Sequence, residues 1–145
     1  MKKIILLLIA IILFAACNDT KEQEEILQAK IIETHDVLMQ KGETIMANKE
    51  SINKILANVA GTNNAYEGLD TEAFYKQANT LNTDLTKADE AMMAWMNNFN
   101  PDFAGKNHTQ IMEYLNKQKA EIDKVETITE KALKNSDIFI KQYKK

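Results

Sequence analysis

Apolar positions along most of the chain recur at alternating spacings of four and three, the pattern of a helical face packed in a bundle. In residues 71–100 the run is unbroken: Phe74, Ala78, Leu81, Leu85, Ala88, Met92, Trp95 and Phe99. Residues 108–143 keep the same rhythm with Ile111, Leu115, Gln118, Ile122, Val125, Thr129, Ala132, Ser136, Phe139 and Tyr143. Residues 20–60 carry it through Ile31, His35, Leu38, Gly42, Ile45, Lys49, Ile52, Leu56 and Val59, with Ile32, Met39 and Met46 one residue on. The pattern predicts three long amphipathic helices.

Chain breakers fall between those stretches, at Gly61 through Gly68 and at Asn100-Pro101 through Gly105. Asp70 is placed as an N-cap, with Leu69 and Phe74 spaced as a hydrophobic staple, and Asn107 and Gln110 are spaced as a capping box. Lys141, Lys144 and Lys145 suit the negative end of the last helix. Short connections make sequential helices antiparallel. The expected fold is therefore all-α: an up-down-up three-helix bundle over residues 30–145, about 45 Å long at the helical rise. Residues 17–29 should form an acidic, partly helical tether projecting beyond it. An extended helix that pairs with a second copy as a coiled coil uses the same seam, and small residues such as Ala78, Ala88 and Ala132 allow close packing either way.

The N-terminus breaks the pattern. Lys2-Lys3 is followed by thirteen apolar residues, Ile4 to Ala16, and then by Cys17, the only cysteine. The apolar run fits a secretory signal and is short of the ~20 residues that span a bilayer as a helix. Small residues directly before a cysteine resemble the bacterial lipobox, in which that thiol is lipidated and becomes the first mature residue. Residues 1–16 then form a cleaved lipoprotein signal peptide, and Cys17 carries the lipid. Attached acyl chains, at about 0.8 kcal/mol per buried methylene, hold such a protein on a membrane. The expected address is the cell envelope, outside the cytoplasm. An Asp directly after the cysteine favours inner-membrane retention; Asn18 stands there, which favours the outer membrane.

Composition narrows the classes. Four Gly and one Pro in 145 residues are too few for the turns of an all-β protein. One Cys builds no internal disulfide framework. Without Lys2 and Lys3, 16 Lys face 21 acidic residues, and there is no Arg. An acidic, Arg-free domain has neither the charge nor the guanidinium forks for nucleic acid.

No HExxH, Glu-x-x-His, GxSxG or phosphate-binding glycine loop is present, so the expectation is a non-enzymatic protein. His35 and Asp36 are adjacent, and helix neighbours point about 100° apart, so no dyad is expected. One constellation has candidate chemistry. In an antiparallel register His35 falls level with Trp95, Met39 with Ala91 and Met92, and Met96 with Met112. Met93 is expected to point elsewhere. Thioethers with one imidazole suit Cu(I), making His35, Met39, Met92, Met96 and Met112 candidate metal ligands. Trp95 is the candidate aromatic to cover a cation. The alternative is plain core: Met fills irregular gaps and packs well on aromatic rings, and His35 could hydrogen-bond Gln118 or a Tyr.

Three stretches, His35-Asp36-Val37-Leu38-Met39, Ala91-Met92-Met93-Ala94-Trp95-Met96 with Phe99, and Tyr114-Leu115 with Gln118-Lys119, resemble a group of small helical bacterial lipoproteins. Some of these carry the label "viral A-type inclusion protein", which reflects coiled-coil-like composition. The resemblance spans nearly all of the chain after Cys17 and implies no activity or binding residues. Together these features point to a lipid-anchored helical bundle acting as a binding or envelope-interaction module. Its expected partners are the membrane and either another protein or a second copy. The alternative is a copper-handling lipoprotein.

Overall fold

The computed structural model describes residues 2–61 and 69–143, with side chains from Asp19 onward. The Cys17 side chain, the loop residues 62–68, and Lys144 and Lys145 lie outside the described residues. Helix α1 runs Lys2–Gly61, α2 Thr71–Asn98 and α3 His108–Tyr143, and the described residues contain no strand. No helix among them is long and apolar enough to cross a membrane.

The helix starts follow from local chemistry. Asp70 accepts a hydrogen bond from the Ala73 amide at 3.0 Å, and Leu69 and Phe74 pack in one cluster. Asn107 and Gln110 form a reciprocal capping box, each side chain accepting from the other's amide at 3.0 Å. α2 stops at the extended C-cap Phe99 (φ −77°, ψ 120°), two residues before Pro101, and Gly105 takes the left-handed turn (φ 77°) that leads into α3.

Side-chain contacts set the helix directions. His35 meets Trp95, Lys49 meets Thr86 and Asn53 meets Asn82, so α1 and α2 are antiparallel. Phe74 stacks on Phe139 and Phe99 on Tyr114, so α2 and α3 are antiparallel. Lys41 pairs with Glu130 and Asn48 with Ser136, so α1 and α3 run parallel. The core has two clusters. One, around Ile52, Phe74, Leu85 and Phe139, lies towards the α1–α2 connection; the other, around Ile31, Trp95, Leu115 and Ile122, lies towards the α2–α3 connection.

Every seam position expected on α2 from Phe74 to Trp95, and on α3 from Ile111 to Phe139, is buried. α1 departs from expectation. Its buried positions are Ile31, Leu38, Ile45, Asn48, Ile52 and Ile55, so Asn48 and Ile55 replace Lys49 and Leu56. On α1 the inward side is divided between two neighbours: Asn48 meets Ser136 and Asp137 of α3, and Lys49 is left on the side of α2. Lys49 sits at the edge and donates to Thr86 Oγ1 at 2.9 Å.

The bundle also begins earlier than residue 30. Leu27 packs against the second core cluster, and the Glu24 carboxylate lies 2.7 Å from His108 Nδ1. The cause is at the other end of the chain. The 99–107 connection folds back over Tyr114, with Phe103 edge-on to it at 5.9 Å and the Asn100 amide donating to its hydroxyl at 2.7 Å. α3 therefore starts beyond the end of α2 and gives that part of α1 a neighbour. Residues 18–23 remain as the candidate tether.

α1 continues through Gly42, and nothing lies within 4 Å of where a Cβ would stand. Gly42→Ala should therefore raise the unfolding free energy by up to about 1 kcal/mol, the helix-interior difference between the two residues. Urea denaturation checks this, and a loss of stability would mean the open space is needed.

Candidate functional site: a methionine cleft between α1 and α2

Where α1 meets α2 near the middle of the bundle, Gly42 on one helix has no side chain and Ala88 on the other has only a methyl group. A cleft of about 80 Å³ opens there. Its walls include the side chains of Met39, Met92, Met93 and Met96, with Asp89 and Thr129 beside them. Met92 is 7% exposed and belongs to the core, whereas Met39 and Met93 are 48% and 51% exposed. The arrangement gathers neutral, polarizable thioethers from two helices at a place open to solvent.

Three of the candidate ligands, Met39, Met92 and Met96, are thus brought together. Met93, expected to point away, joins them. It follows Met92 by one residue and precedes Met96 by three, which puts it on the α2 flank facing α1. Met39 flanks Leu38 in the same way. In antiparallel helices such flanking positions meet along the edge of the seam, and that signal was available in the sequence.

The other candidates are placed differently. Met112 is half-buried and does not line the cleft. The register explains this: Phe99 meets Tyr114, so the part of α3 level with Met96 lies beyond residue 114. His35 does reach Trp95, with ring centroids 5.7 Å apart, one turn away from the cleft. Its Nδ1 lies 2.9 Å from Asp36 Oδ1, so the adjacent pair does interact, contrary to expectation. Asp36 is exposed enough for its short carboxylate to swing along the surface to the imidazole. Trp95 is 5% exposed and stacks on Phe99 at 4.9 Å, so its ring is occupied by aromatic neighbours and is not presented to a cation. Gln118, offered by the sequence as a partner for His35, is buried, and its Oε1 and the Trp95 Nε1 have no hydrogen-bond partner.

The exposed Asp89 carboxylate is the charged group on the cleft's wall. Further along α1, a hydrogen bond from Lys54 at 2.6 Å, together with its charge, holds the Glu50 carboxyl below its ordinary range. Among the described residues no group of three or more His, Cys, Asp or Glu is placed to share a metal ion.

The fold and this cleft define a three-helix protein with a thioether-lined seam between two of its helices. Comparison of the chain with protein-family models, with curated proteins and with solved structures finds no match.

Proposed function

We propose that the chain is a lipoprotein of the cell envelope, anchored through Cys17, whose helical bundle serves as a non-enzymatic binding module outside the cytoplasm. The observation that carries this reading is the succession of residues at the start of the sequence: Lys2-Lys3, an uninterrupted apolar run from Ile4 to Ala16, then the single Cys17. The resemblance to small helical bacterial lipoproteins supports it. So does the shape of the site: a narrow interhelical cleft, without converging carboxylates, suits holding a ligand more than transforming one. Apolar side chains on the outer side of α1, Ile32, Val37 and Met46, are 38%, 43% and 63% exposed, which suits a module that contacts another surface. Asn18 after the cysteine favours the outer membrane.

Expression in a bacterial host supplied with alkyne-palmitate tests the anchor. The chain should incorporate the label, and Cys17→Ser should abolish it while the helical circular dichroism stays unchanged. Label retained in Cys17→Ser, or absent from the parent chain, would overturn the reading.

A further inference from the structure

We propose that the cleft between α1 and α2 is a binding site for a soft monovalent cation, Cu(I), held by the thioether sulfurs of Met39, Met92, Met93 and Met96. The proposal rests on the side chains alone and stands whether or not the chain is lipid-anchored.

Four of the seven methionines line one small opening. Core packing accounts for Met92, which is 7% exposed, but not for Met39 and Met93 at 48% and 51%. Solvent-facing positions of a helix are ordinarily filled by polar residues. Here two large thioethers stand at the edge of one seam, on facing helices, beside a glycine. Gly42 leaves free space one turn from Met39, with nothing from the facing helices within 4 Å of a would-be Cβ. An unbranched thioether with three rotatable bonds can use that space to turn its sulfur inward.

The residue types select the ion. Thioethers are soft and uncharged, so they hold Cu(I) and leave hard cations to oxygen ligands. The Asp89 carboxylate at the rim offsets the ion's charge without supplying a soft ligand. His35 is outside the set, because its Nδ1 faces Asp36 and its ring packs on Trp95. Met112 and Met46 do not line the cleft and serve as internal controls.

The test uses the full chain in detergent carrying Cys17→Ser, which removes the competing thiol. Ag(I), a redox-stable stand-in for Cu(I), is titrated while the methionine methyl resonances are followed by NMR. The methyls of Met39, Met92, Met93 and Met96 should shift together and saturate at one equivalent, while those of Met46 and Met112 stay in place. In competition against a chromophoric Cu(I) chelator, Met39→Leu and Met93→Leu should each weaken binding by about tenfold or more, at least what an outer-shell substitution costs a metal site. Met46→Leu and Met112→Leu should not, and excess Zn(II) should not displace the ion. Both cleft substitutions are at half-exposed positions, and circular dichroism verifies that the bundle is retained. No methyl shift, equal shifts at all methionines, or Cu(I) affinity unchanged by the combined Met39→Leu and Met93→Leu substitutions would overturn the proposal.

Discussion

Phe139→Ala should lower the unfolding free energy by about 3–5 kcal/mol, the range for removing a buried phenyl ring. Phe139 is fully buried. Its ring stacks on Phe74 with centroids 5.5 Å apart and touches Tyr143 at 4.8 Å, and Phe74 in turn meets Tyr143 edge-on at 5.0 Å. These three rings join the start of α2 to the end of α3. The alanine variant loses the transfer free energy of the ring and leaves a cavity that the remaining rigid rings fill poorly. Native domains have about 5–15 kcal/mol in hand, so the loss is a large share of the whole. Urea denaturation followed by helical circular dichroism reads it. A loss under about 1 kcal/mol, the scale of a volume-conserving core swap, would mean that this end of the bundle is not packed as described.

Asn48→Ala should cost about 1–3 kcal/mol, the range for leaving buried polar partners unpaired. Asn48 is 8% exposed and its amide donates both to Ser136 Oγ at 2.9 Å and to Asp137 Oδ1 at 2.8 Å. Ser136, fully buried, donates a hydrogen bond from its own hydroxyl to the Leu133 carbonyl at 2.9 Å. One polar chain thus ties α1 to α3 inside an apolar seam, and a buried Asn of this kind fixes register. Replacing both partners, as Asn48→Leu with Ser136→Ala, should recover most of the loss, since neither buried group is then stranded. A double variant as unstable as the sum of the singles would show that the polar chain is not the origin of the effect.

Much of this is legible in the sequence, for identifiable reasons. The seams of α2 and α3 can be read residue by residue because capping chemistry fixes where each helix begins: Asp70 for one, Asn107 with Gln110 for the other. α1 lacks such a punctuation mark within the bundle. Its inward face is shared between α2 and α3, and periodicity alone does not assign each residue to one of them. Asn48 faces α3 through Ser136 and Asp137, and Lys49 faces α2 through Thr86.

The α2–α3 register is harder to read. It depends on how the 99–107 connection folds, and that is decided by Phe103 and Tyr114 packing across a loop, not by any periodicity. The shift it causes moves Met112 away from the cleft and brings Glu24 to His108. The cleft itself is half legible. The grouping of Met39 with Met92 and Met96 follows from antiparallel pairing alone. Met93 is missed when only the seam is considered, because the opening lies on the seam's flank.

The proposal that the methionine-lined helical bundle is held outside the cytoplasm on a lipid turns on the covalent state of Cys17. Intact-mass and N-terminal peptide analysis of the chain extracted from bacterial membranes measures it directly. The expected product is a polypeptide that begins at Cys17, lacks residues 1–16, and carries the added mass of a diacylglycerol thioether with or without an amide-linked acyl chain. A chain that retains Met1, or one cleaved elsewhere with an unmodified Cys17, would contradict it.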